Sequence, residues 1–161
     1  RISVYYISNQ KKECYMSEIF VEGSNKKNRE LAYDVISFCV KEMLSRYTTL
    51  SVTLKFSNLL SKHGAEGFCI WEDNNWRPRE FTIDIDKNLN YEDMVTCICH
   101  EMVHVKQFAR LERRDYAERG SYRRFWKGKD YEDVKYWDAP WEKEAYAMQE
   151  TLFEKFENLT N

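Results

Sequence analysis

Histidine is scarce in this 161-residue chain, with three residues at positions 63, 100 and 104. Two of the three lie one helical turn apart, so their placement carries information. Charge of one sign is not in excess either: the net charge is −2, and overall polarity recommends neither nucleic acid nor a membrane surface. No apolar run approaches the roughly 18 residues needed to cross a bilayer. Among five cysteines (Cys14, Cys39, Cys69, Cys97, Cys99) there is no Cys-x-x-Cys pair. That odd count and spacing argue against a disulfide framework or a cysteine-rich zinc site. Buried free thiols in a reducing, cytoplasmic compartment are expected instead. No secretory leader pattern is visible; Arg1 is not a natural start, which leaves room for residues upstream of it. Internal repeats and low-complexity segments are also lacking.

What is present is globular in character, with 43% hydrophobic and 16% aromatic residues, enough for one domain over residues 1–161 with a substantial core. Stretches 2–7 and 15–21 are rich in Tyr, Ile, Val and Phe around a polar turn and read as an N-terminal hairpin within residues 1–22. Leu31, Val35, Phe38, Cys39 and Met43 recur at helical spacing over 29–47, after a loop in which Asn28 is a candidate cap. Val52, Leu54 and Phe56 alternate with polar residues over 50–59, and short strands are expected at 68–71 and 81–85. The sheet they form is expected to be largely antiparallel. Asn88 or Asn90 can cap a second helix over 91–112 that is apolar on more than one face and therefore central. Residues 113–130 gather Arg and Lys around Gly120 and Gly128 and read as a basic, partly irregular excursion. Pro140, with Asp138 or Ala139 before it and carboxylates after it, starts a final helix through Ala145, Met148, Leu152 and Phe156.

The central helix carries His100-Glu101-Met102-Val103-His104. Positions i and i+4 share a helix face, so both imidazoles can address one metal ion while Glu101 reaches a water beside it. The bland alternative is a pair of core histidines satisfied by hydrogen bonds. A catalytic zinc site takes three protein ligands and keeps one position open. His63 could in principle complete the set, but a carboxylate on the last helix is the better candidate. Glu142 and Glu144 lie roughly 200° apart around that helix, so only one can face the metal. The residues alone leave that choice open. Ligand imidazoles also need a partner for the second ring nitrogen, with Asp138, Glu144 and backbone carbonyls as candidates.

His-Glu-x-x-His followed by Glu142-Lys143-Glu144-Ala145 resembles the gluzincin group of zincin metallopeptidases. Among compact members it is similar to ImmA/IrrE-type and other minimal zincins. The element order over roughly 29–156 also resembles SprT-like domains, although those use a third histidine after the motif and none follows His104 here. The resemblance implies an α+β fold: a compact zincin-like domain whose small mixed or antiparallel sheet packs on an N-terminal helix, a central motif helix and a C-terminal ligand helix. It implies one catalytic Zn²⁺ held by His100, His104 and Glu142, with Glu144 as fallback. It further implies hydrolysis of a protein or peptide substrate by a zinc-activated water, with Glu101 as general base. Tyr122, Tyr131 and Tyr136 are candidate oxyanion donors. The strand at 79–85 would be the edge to which an extended peptide adds.

Two other readings compete. From Lys106 to Lys129 nine Lys or Arg residues face three acids, with Tyr116, Tyr122, Phe125 and Trp126 interleaved, a pattern that can track phosphates and stack on bases. A solvated face is the plainer account of it. The other reading is a zinc-binding zincin domain that regulates or supports structure without proteolysis; the intact Glu101 argues against it.

Overall fold

The computed structural model describes residues 17–73, 75–118 and 121–160. Its order is β1 (Glu18–Glu22), α1 (Lys26–Met43), β2 (Ser51–Ser57), α2 (Leu59–His63), β3 (Gly67–Trp71), β4 (Glu80–Asp86), α3 (Tyr91–Ala109), β5 (Arg113–Glu118), β6 (Ser121–Trp126), β7 (Lys129–Asp130) and α4 (Pro140–Thr160). A short 3-10 turn over Tyr136–Asp138 leads into α4. The architecture is α+β.

The main sheet runs β1-β2-β4-β3. β1, β2 and β4 are mutually parallel and β3 is antiparallel to β4, so the sheet is mixed rather than largely antiparallel. Alternation sets its two faces. Ile19, Val21, Val52, Leu54, Phe81, Ile83, Ile85, Cys69 and Trp71 share one face by register and join the apolar core with α1 and α3. The first strand of the expected N-terminal hairpin lies outside the described residues. Its second stretch is β1, which pairs parallel with β2.

Capping explains where the helices begin. Asn25, not Asn28, caps α1, and its side chain accepts from the Asn28 amide at 2.9 Å. Asn90 caps α3 in the same way toward Asp93, with Glu92 and Asp93 in a first turn where negative charge is favoured. From Met94 onward α3 is buried almost all round, as expected of a helix wedged between α1, α4 and the sheet. Gly67, at the start of β3, allows the strand to approach α3. A Cβ there would lie 2.7 Å from Cys97 Sγ and 3.1 Å from Glu101 Oε1.

The basic segment is not irregular. It forms a three-stranded antiparallel sheet, β5-β6-β7. Lys127 and Gly128, both at positive φ (48° and 84°), make the two-residue turn between β6 and β7. Trp126, Ala139 and Trp141 form a second apolar cluster that ties this sheet to the start of α4. Among the described residues no helix is long and apolar enough to cross a membrane.

Candidate metal centre

α3 presents His100 and His104 on one face, and the first turn of α4 brings Glu142 opposite them. The Nε2 atoms of the two imidazoles are 3.2 Å apart, and Glu142 Oε2 is 3.4 Å from each. All three residues are buried. Among the described residues this is the one group of three or more His, Cys, Asp or Glu side chains that can hold a metal ion.

The triangle can be tested against an ion. Tetrahedral zinc with ligand bonds of about 2.0–2.1 Å holds its ligand atoms about 3.3–3.4 Å apart. The observed edges match that spacing. Glu142 Oε2 is also fully buried without a hydrogen bond, an expensive arrangement unless something cationic meets it. The two imidazoles, the carboxylate and their spacing therefore suit a small divalent ion. Burial by itself would raise the Glu142 carboxyl, but the facing His100 and His104 rings outweigh it and hold it well below the carboxylate range. For His100, burial disfavours the charged ring. Glu142 and Glu101 outweigh that and raise its pKa.

The outer nitrogens of both imidazoles are held by glutamines. Gln107 Nε2 donates to the Trp141 carbonyl at 2.9 Å and to Glu144 Oε2 at 3.0 Å, and both partners act only as acceptors. Its Oε1 therefore faces His104 Nδ1 at 2.8 Å and accepts a hydrogen bond from the ring N–H, which leaves the Nε2 lone pair free to face an ion. Gln149 does the same for His100 Nδ1 at 2.8 Å, with its Nε2 turned to Glu150. Neither glutamine belongs to the motif. The signal that could have found them is spacing: Gln107 follows His104 by three positions and Gln149 follows Glu142 by seven, each on the ligand face of its helix.

Glu144 lies away from the metal triangle. It receives buried Lys106 Nζ at 2.9 Å as well as Gln107, and these hydrogen bonds overcome burial to hold its carboxyl below the usual range. Asp138 is exposed and pairs with Lys143, so it holds neither imidazole. His63 packs edge-on against Phe68, apart from the triangle. Arg113, which no sequence pattern marks, lies 4.8 Å from the ring centroids of both Phe108 and Trp141, with Nη1 4.0 Å from Glu142 Oε1. Asp115 fixes the same guanidinium through two hydrogen bonds.

Glu101 is buried beside the triangle, against Gly67 of β3. Burial raises its pKa, opposed in part by His104 and His100, and a raised carboxyl pKa makes a stronger base. Of the three tyrosine candidates only Tyr136 reaches the site. Burial, the Tyr146 hydroxyl and Glu142 all raise its pKa, so it remains a donor. Tyr122 bonds Asp115, and Tyr131 packs edge-on against Trp141. Tyr146, unmarked in the sequence, packs its ring 4.7 Å from that of His100.

The strand at 79–85 is not an edge. As β4 it lies between β2 and β3, and among the described residues β3 is the edge strand on the Glu101 side. The sequence order of strands misleads here because β3 precedes β4 in the chain yet lies outside it.

No protein-family model, curated protein or solved structure matches the chain.

Proposed function

We propose that the chain is a zinc-dependent metallopeptidase of gluzincin type, hydrolysing peptide bonds with Glu101 as general base. The observation that carries the reading is the buried His100–His104–Glu142 triangle, with edges of 3.2, 3.4 and 3.4 Å, beside the Glu101 carboxyl. Zn²⁺ bound there supplies Lewis acidity to an attacking water and to the substrate carbonyl. Glu101, raised in pKa by burial, takes the proton of the attacking water and delivers it to the leaving amine. Gln107 and Gln149 keep both imidazoles in the tautomer that faces the metal. Tyr136, whose hydroxyl lies 3.5 Å from that of Tyr146 and near Glu142, is the oxyanion donor in this reading. β3 pairs with β4 on one side only among the described residues, so its other edge offers main-chain groups to an extended peptide.

The basic region favours this reading over nucleic-acid binding because several of its cations meet partners within the protein. Lys106 pairs with Glu112 and Glu144, Arg113 with Asp115, and Arg123 with Asp130, while Arg124 donates to the Glu132 and Val134 carbonyls. The test is cleavage of a peptide library by zinc-loaded wild type and by Glu101→Gln. Cleavage by wild type, reduced at least about 100-fold in the variant, is expected. One equivalent of zinc with no cleavage of any peptide would assign the site a structural or regulatory role instead.

A further inference from the structure

We propose that Trp137, backed by Tyr146 and flanked by Tyr136, is the subsite that reads a bulky apolar side chain of the peptide substrate; this rests on the peptidase reading above. Three large aromatic side chains stand exposed beside the metal triangle: Trp137 at 70%, Tyr136 at 51% and Tyr146 at 39%. They form a connected stack. Tyr146 lies edge-on to His100 at 4.7 Å, and Trp137 stacks on Tyr146 at 5.7 Å with 28° between the planes. Tyr136 braces Trp137 edge-on at 5.0 Å. The tryptophan is thus held by its neighbours while most of its surface faces solvent, an arrangement that leaves apolar area for a ligand to cover.

Position defines what covers it. The Trp137 ring is two ring contacts from His100, at most about 10 Å, which is the span of about three residues of extended chain. A peptide whose scissile bond lies at the triangle carries a side chain two or three residues away within reach of that ring. Lys143 and Asp138, close by in the chain, pair with each other at 3.9 Å, which leaves the exposed face of the Trp137 ring as the feature a side chain can cover. Apolar bulk is what the subsite can read.

The test compares zinc-loaded wild type, Trp137→Ala and Trp137→Phe on position-randomised peptides, with zinc content measured for each. Wild type is expected to favour Phe, Tyr, Trp or Leu at one position two or three residues from the cleaved bond. Trp137→Ala should lose about 10- to 100-fold in kcat/KM for those peptides at unchanged zinc content, and Trp137→Phe should recover most of it. Cleavage with no such preference, or with a preference that Trp137→Ala leaves intact, overturns the subsite while the peptidase reading stands. Cleavage of no peptide at all overturns that reading and the subsite with it.

Discussion

At Glu142 and Glu144 two carboxylates two positions apart take opposite roles, and substitution should separate them. Glu142→Ala removes a ligand atom and is expected to abolish tight zinc binding. Glu144→Ala should leave one zinc per chain, bound more weakly, because it frees the Gln107 amide rather than a ligand. Gln107→Leu removes the acceptor for His104 Nδ1 and is expected to weaken zinc by about 10- to 100-fold, measured by competition with a chromogenic chelator. The same titration should depend on pH. His100 has a raised pKa and must give up its proton to bind metal, so affinity should fall as the pH drops through that value. An affinity that does not change between pH 8 and pH 5.5 would contradict this. The motif residues were legible because a helix encodes their geometry in a local spacing. Glu142 needed the resemblance to choose it. The glutamines, Arg113 and Tyr146 were not legible, since their roles come from contacts between α3, α4 and β5 that no local pattern records.

Among the elements, helices were read well and strands less so. Periodicity is local, and it placed α1, α3 and α4 close to their observed bounds, although α1 starts from Asn25 rather than Asn28 and the short α2 was not read. Strand pairing is not local: β3 and β4 are adjacent in sequence, yet β4 inserts between β2 and β3, which among the described residues makes Gly67–Trp71 the edge. The β5-β6-β7 sheet was hidden for another reason. Its strands carry Arg, Asp and Ser where apolar residues would announce an alternation, and they are held by ion pairs and by stacking on Trp141. Trp141→Ala should therefore cost about 3–5 kcal/mol in urea unfolding, by emptying a buried site that joins this sheet to α4. Gly67→Val tests the other wall. The added side chain would strike Cys97 and Glu101, so peptide hydrolysis should fall while zinc stoichiometry is preserved. Full activity in that variant would show that the close approach of β3 to α3 does not position Glu101.

For the whole molecule, the candidate metal site is a joint between α3 and α4, with His100 and His104 on one and Glu142 on the other. An ion that binds only the folded chain stabilises it by mass action, about 4 kcal/mol at a thousandfold excess over Kd. Zinc should therefore raise Tm and a chelator lower it. The most direct single measurement is the zinc content per chain after dialysis against metal-free buffer, for wild type and Glu142→Ala side by side. One equivalent in wild type and almost none in the variant is the expected result. No zinc in wild type, or the same amount in both, would contradict a centre built from His100, His104 and Glu142.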